Sequence, residues 1–216
     1  LEGQIDAVLS DIGADAIKIG MLHSSEAVNI IADTIEKYNI TNVVLDPVMV
    51  STSGHKLIEE DEIEAIKSRL ISLTRVITPN IPEAEILADC LISGEQDFDK
   101  VARKLSDNGN VSVLLKAGHL DGECLVDYFY NAENGTMTKL PSKRVQTRNT
   151  HGTGCTLSSA FAAALAKGEE LTTAAKSAKR YIEQAIYAGA NQSIGNGFGP
   201  VNHNFNPQKM LINESK

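Results

Sequence analysis

Apolar positions along the chain fall into two alternating patterns. Short, nearly continuous apolar runs stand at "DAIKIG" (15–20), "NVVLDPVMV" (42–50), "RVITPN" (75–80) and "VSVLLKAG" (111–118). Runs of this length, bounded by Gly, Pro and Asn, predict buried strands. Between them, apolar residues recur at spacings of three and four over 25–38, 59–70, 83–90 and 97–108, which predicts helices. Strands alternating with helices build right-handed crossovers and a parallel sheet, so the expected fold class is α/β.

After Gly118 the period changes. "ECLVDYFYN", a turn at Asn134-Gly135 and "TMTKLP" predict an antiparallel hairpin attached to the parallel sheet. Two long helices follow at about 154–167 and 171–188, the first amphipathic through Leu157, Phe161 and Leu165. The tail "IGNGFGPVNHNFNP" is rich in Gly, Asn and Pro and reads as loop. Neither an internal repeat nor an inter-domain linker interrupts the pattern, and a single domain over 1–216 is expected. The chain opens in what reads as mid-helix, with Ile5, Val8, Leu9 and Ile12 on one face. This predicts a chain truncated at its N-terminus.

Composition narrows the class. A chain of 216 residues with 42% hydrophobic content can bury one substantial core. Aromatic residues make up 5% and tryptophan is absent, which fits an aliphatic α/β core better than a β-sandwich. The net charge of −8 argues against a nucleic-acid surface. Positive charge for an anionic ligand must then be supplied locally. Cys90, Cys124 and Cys155 are odd in number and form no C-x-x-C pair, which argues against a disulfide framework or a structural zinc site and suits a reducing cytoplasm. No apolar run approaches the roughly 20 residues that span a bilayer, so no membrane partner is expected.

In open parallel sheets, ligands bind beyond the carboxyl ends of the strands. Those ends carry Gly20-Met21, Asp46-Pro47-Val48-Met49, the segment from Thr78 to Glu83, and Lys116. Two carboxylates, a lysine, an asparagine and apolar side chains on one rim suit a metal-assisted phosphate site with a wall for a small ring. Each residue also has a purely structural reading. Asp46 can start a turn before Pro47, Glu83 can favour a helix dipole, Lys116 can reach water from a strand end, and Met21 can fill a core. Their joint placement carries the functional reading.

The stretch "NTHGTGCTLSSA" (149–160) joins a glycine-interrupted loop to an alanine-rich helix. Gly152 and Gly154 let the backbone turn and approach a ligand, and the first N–H groups of the helix lack intrahelical acceptors. Such a helix start receives a phosphate or a developing anion. Cys155 at that position is a candidate general base for a hydroxyl proton, or a small residue sealing helix against sheet. His151 is a second candidate base.

Together, "KIGM" (18–21), "VVLDPVMVSTSGHKL" (43–57), "ITPNIPEAEIL" (77–87), "LLKAGH" (114–119), "NTHGTGCTLSSA" and "GPVNH" (199–203) resemble the hydroxymethylpyrimidine and phosphomethylpyrimidine kinases of thiamine biosynthesis, within the ribokinase-like superfamily. The motifs occur in order along nearly the entire chain. The resemblance implies a three-layer α/β/α sandwich with a mostly parallel central sheet. It also implies ATP-dependent phosphorylation of 4-amino-5-hydroxymethyl-2-methylpyrimidine and then of its monophosphate, with ATP and Mg²⁺ as cofactors. On this resemblance Cys155 is the catalytic base in an anion hole built with Gly152 and Gly154, and Met21 and Val48 line the pyrimidine pocket. Lys116, Asn80, Lys179 and Thr150 approach the nucleotide, and Glu83 and Asp46 serve the metal. A homodimer is an expectation of the same kind. Family members begin with a further strand and glycine-rich segment, to which nothing in this chain corresponds. The nearest rivals are a pyridoxal or pyridoxine kinase of the same superfamily and an inactive homologue that retains the pocket.

Overall fold

The structure is a computed structural model that describes residues 1–49, 57–107, 109–116 and 123–209. Most of the "STSGHKL" motif and residues 117–119 lie outside the described residues.

Among the described residues, six strands form one sheet in chain order: β1 (Ile17–Ile19), β2 (Val43–Leu45), β3 (Val76–Ile77), β4 (Ser112–Leu115), β5 (Cys124–Asn131) and β6 (Thr136–Lys143). The first four are parallel, and β5 and β6 add antiparallel pairs at the far side, as the hairpin pattern predicts. Helices α1 (Glu2–Asp11), α2 (Ser25–Tyr38), α3 (Glu60–Ala65), α4 (Ile81–Ala88) and α5 (Phe98–Leu105) precede the hairpin, and α6 (Thr153–Ala166) and α7 (Leu171–Gly189) follow it.

Strict sequential order has a geometric consequence. When every crossover is right-handed and each new strand is added on the same side, the crossover helices all land on one face of the sheet. Val28, Ala32 and Ile35 of α2, Ala84 and Leu87 of α4, and Phe98, Val101 and Leu105 of α5 accordingly share a core with Val43, Leu45, Ile77, Val113 and Leu115. The other face, carrying Val44, Val76, Leu114 and Phe129, is covered by Leu157, Phe161 and Leu165 of α6 and by Ala174, Ala178, Ile182 and Ala185 of α7. The result is the expected three-layer α/β/α arrangement.

Local signals explain the element boundaries. Ser24 caps α2 by accepting from the Ala27 N–H at 3.1 Å, and Asn39 ends it in the left-handed conformation. Asn80 and Glu83 close a reciprocal capping box at the start of α4, so the helix begins at Ile81, two residues before the predicted position. The parallel strands are shorter than their apolar runs: the run at 42–50 contributes only Val43–Leu45 to β2. Met49, beyond the strand, stays fully buried. The helix expected over 59–70 is α3 followed by one π turn over Ile66–Leu70. α1 buries no residue; Lys37 and Tyr38 at the end of α2 hydrogen-bond its Asp6. Among the described residues, no helix is long and apolar enough to cross a membrane.

Candidate active site

Strand alternation decides which side chains face α6. Val44, Val76 and Leu114 point toward α6 and α7, so Asp46, Thr78 and Lys116, each two residues further on, point the same way. Lys18 is in register with Val44 and joins that face. The ladder runs one step past the strands: the Asp46 N–H donates to Ile19 O and the Thr78 N–H to Leu45 O, both at 2.9 Å. Asn80 and Lys116 form a further parallel bridge, with the Lys116 N–H donating to Pro79 O at 2.9 Å. Four strand ends therefore deliver polar side chains to one rim beside the start of α6.

Asp46 is the hub of this rim. Its Oδ1 accepts from Lys116 Nζ at 2.7 Å and Thr78 Oγ1 at 3.1 Å, and its Oδ2 accepts from Ser158 Oγ at 3.2 Å with Lys18 Nζ at 3.8 Å. The side chain is 1% exposed. Burial alone would push its carboxyl pKa up, but the charge and hydrogen bond of Lys116, then Lys18 and Thr78, outweigh burial and hold it below the ordinary carboxylate value. Glu83 behaves differently. Burial dominates and raises its pKa, against the attraction of Lys116 and the backbone donors of Asn80 and Met49, while Asp46 adds repulsion.

The glycine-interrupted loop enters α6 through Gly152, whose φ of 81° lies in the left-handed region that suits glycine. Thr153 N–H turns back to Thr150 O at 3.4 Å, and the first intrahelical bond runs from Thr156 N–H to Gly152 O. The Gly154 and Cys155 N–H groups thus stand at the open, positive end of a helix of 14 residues. A β-carbon on Gly154 would lie 3.3 Å from Lys116 Nζ and 3.9 Å from Asp46 Oδ2, so the absent side chain lets the lysine close on the helix start. Cys155 is exposed, which removes its reading as a residue sealing helix against sheet.

The C-terminal tail stitches this loop in place. Asn149 Nδ2 donates to Gly189 O and Gln192 O, both at 2.7 Å, and the His151 N–H donates to Gly199 O at 3.1 Å. Thr156 Oγ1 donates to Gly152 O at 2.8 Å and meets His203 Nε2 at 2.9 Å. With the hydroxyl proton on the carbonyl, the ring nitrogen is the donor in the second contact.

Most of the sequence-predicted residues converge. Gly152, Gly154, Cys155, Asp46 and Lys116 form the cluster, Glu83 Oε2 lies 3.9 Å from Lys116 Nζ, and Asn80 and Thr150 flank it through the α4 cap and the glycine loop. Met21 is 52% exposed at the end of β1, and Val48 is half-buried in the segment after Asp46. Lys179 reaches the same face through Asp127, which stands next to Lys116 when the β4–β5 register is continued by one residue. Lys179 lies on α7, and its ammonium bonds Asp127 Oδ2 of β5 at 2.6 Å with both side chains nearly buried, tying helix to sheet. Sequence reasoning gave no individual role to Lys18, Thr78, Ser158 or Asn149. Period-two counting back from Gly20 and forward from Val76 would have found the first two; Ser158 and Asn149 carry no local signal.

A magnesium ion fits this rim in one manner. Among the described residues, no group of three or more His, Cys, Asp or Glu side chains is placed to hold a metal. Asp46 does not fit as a ligand, because both oxygens are engaged by lysines and hydroxyls. Glu83, whose Oε2 accepts from the neutral Asn80 N–H, is the rim carboxylate that fits an ion whose other ligands are water and phosphate oxygens, the usual mode for Mg²⁺ in kinases.

Residues 1–202 match the phosphomethylpyrimidine kinase family. The chain belongs to that family. It is 42% identical over 204 residues to a hydroxymethylpyrimidine/phosphomethylpyrimidine kinase of Rhizobium meliloti, covering 94% of this chain and 76% of the relative. The solved phosphomethylpyrimidine kinase of Clostridium difficile superposes with a TM-score of 0.74 at 39% identity, covering 86% of this chain and 74% of that one. The pyridoxal kinase of Staphylococcus aureus in complex with AMP-PCP superposes with a TM-score of 0.84 at 34% identity, covering 94% and 72%. The ribokinase-like fold is common to these enzymes, and the backbone alone does not separate the two substrate classes.

Proposed function

We propose that this chain transfers the terminal phosphoryl group of ATP to the hydroxymethyl oxygen of 4-amino-5-hydroxymethyl-2-methylpyrimidine, and in a second turnover to the phosphate of the resulting monophosphate. Membership of the phosphomethylpyrimidine kinase family supports the substrate class. The observation that carries the chemistry is the placement of an exposed thiol, Cys155, on the open helix start that Lys116 and Asp46 adjoin.

In this reading Met21 and Val48 form the wall for the pyrimidine ring. Cys155 Sγ accepts the hydroxymethyl proton as the oxygen attacks phosphorus. The Gly154 and Cys155 N–H groups and the α6 dipole face the negative charge of the transferring group, and Lys116 supplies a cation beside them. Little covalent work remains for the protein, and alignment of acceptor and donor supplies much of the rate. Asp46 acts as the counter-ion that fixes Lys116. Glu83 is the residue that would hold a magnesium ion, which when bound neutralises phosphate charge.

The deciding experiment supplies ATP with the pyrimidine, its monophosphate and pyridoxal in parallel, following ADP release and the phosphorus resonances of the products. Efficient phosphorylation of both pyrimidines is expected. Faster phosphorylation of pyridoxal would overturn the assignment.

A further inference from the structure

A second cation stands in the rim beside Lys116, and it is held in a different way. Lys116 Nζ makes a 2.7 Å hydrogen bond to Asp46 Oδ1 and lies between Asp46 and Glu83. Lys18 Nζ approaches Asp46 Oδ2 only to 3.8 Å, an ion-pair distance beyond hydrogen bonding, and its side chain is 18% exposed. Among the described residues it has no other polar partner. Its three N–H donors are therefore available to a ligand.

Lys18 reaches the rim because of Gly20. By strand register, Gly20 is β1's own residue at the level of Asp46 and Thr78, while Lys18 belongs one level back beside Val44. The missing side chain leaves room for the ammonium: a β-carbon on Gly20 would stand 2.8 Å from Lys18 Nζ. The lysine thus leans forward into space that glycine leaves open, on the side of the rim that Met21 also occupies. Ser158 connects the two sides, donating to Asp46 Oδ2 and contacting Gly154 O at 3.1 Å.

We propose that Lys18 is a specificity-determining residue for the second phosphorylation, in which its ammonium leaves Asp46 to pair with the phosphate that the monophosphate substrate carries. The inference rests on the function proposed above. The neutral hydroxymethyl substrate makes no demand on a second cation. The monophosphate brings additional negative charge against ATP in a protein whose own net charge is −8, and the loosely held lysine next to the ring wall answers that charge.

The test compares wild type with Lys18→Met, Lys18→Arg and Gly20→Ala, the last displacing the ammonium without removing it. Kinetics are measured on the pyrimidine and on its monophosphate, and calorimetry measures binding of the monophosphate without ATP. A lost charge-assisted contact weakens binding about 10- to 100-fold. Lys18→Met and Gly20→Ala should therefore lower kcat/KM for the monophosphate, relative to that for the pyrimidine, by at least about 10-fold, with monophosphate affinity falling in parallel and Lys18→Arg recovering most of both. Parallel losses on the two substrates would make Lys18 a mere support of Asp46 and overturn the proposal. Wild type that turns over neither substrate would refute the assigned function instead, and calorimetry still decides on Lys18: monophosphate affinity that is absent, or equal in wild type and Lys18→Met, overturns its role.

Discussion

Lys116 and Asp46, 70 residues apart in the chain, meet at 2.7 Å on the α6 face of the sheet. The pair is nearly buried, and Lys18, Thr78 and Ser158 complete its shell. Removing one partner of such a pair leaves an uncompensated charge, which costs about 3–5 kcal/mol. Asp46→Asn should lose about 3 kcal/mol, lowering the thermal midpoint by roughly 6–12 °C for a domain of this size. Calorimetric unfolding checks this; a midpoint within about 1 °C of wild type would show that the carboxylate does not anchor Lys116.

The same carboxylate sets an acid limb of stability. Its folded pKa lies below the ordinary value, so its contribution is complete above the unfolded value near ~3.9 and is lost as pH falls through the folded value. The stability gap between wild type and Asp46→Asn should be widest above pH ~4 and should narrow as the pH is lowered further. Urea midpoints of the two proteins against pH measure it, and a gap that stayed constant to low pH would contradict the assignment.

Cys155 is exposed, so its replacement tests chemistry with little interference from folding. Cys155→Ala should lower turnover by about 10²- to 10⁴-fold, the range of a lost general base. Nucleotide affinity and thermal midpoint should stay close to wild type, because the thiol contributes neither phosphate contacts nor core. Near-normal turnover would exclude the thiol as proton acceptor.

The latch between the glycine loop and the tail depends on Gly199. A β-carbon there would stand 2.0 Å from Asn149 Oδ1 and 2.7 Å from its Cγ, inside contact distance of a side chain that is itself buried and hydrogen-bonded. Gly199→Ala should force Asn149 off the Gly189 and Gln192 carbonyls, costing about 2–3 kcal/mol for the two buried bonds. Turnover should fall with it, since the loop that sets Gly152 and Cys155 loses its tie. Amide exchange of residues 149–152 would report the release; protection equal to wild type would refute the latch.

Much of this architecture was legible along the chain. The alternation of short apolar runs with three-four spaced helices specified the α/β class and its parallel sheet, and Asn134-Gly135 marked the hairpin. Strand-end position placed Asp46 and Lys116 at one rim, because period two is a local property. Lys179 shows what local patterning leaves open. It stands in a helix whose neighbours decide its partner, and that partner is Asp127 of β5.

What the sequence by itself determined was therefore whatever depends on near neighbours: element type, the alternate facing of strand residues, and the glycines that open α6. Only the tertiary structure decided which groups meet across the sheet. It turned Asp46 from an expected metal ligand into a carboxylate engaged by two lysines and two hydroxyls, exposed Cys155, and joined Asn149 to the tail. These contacts depend on distances between segments dozens of residues apart, which are set by sheet register and helix packing and leave no periodic trace in the chain.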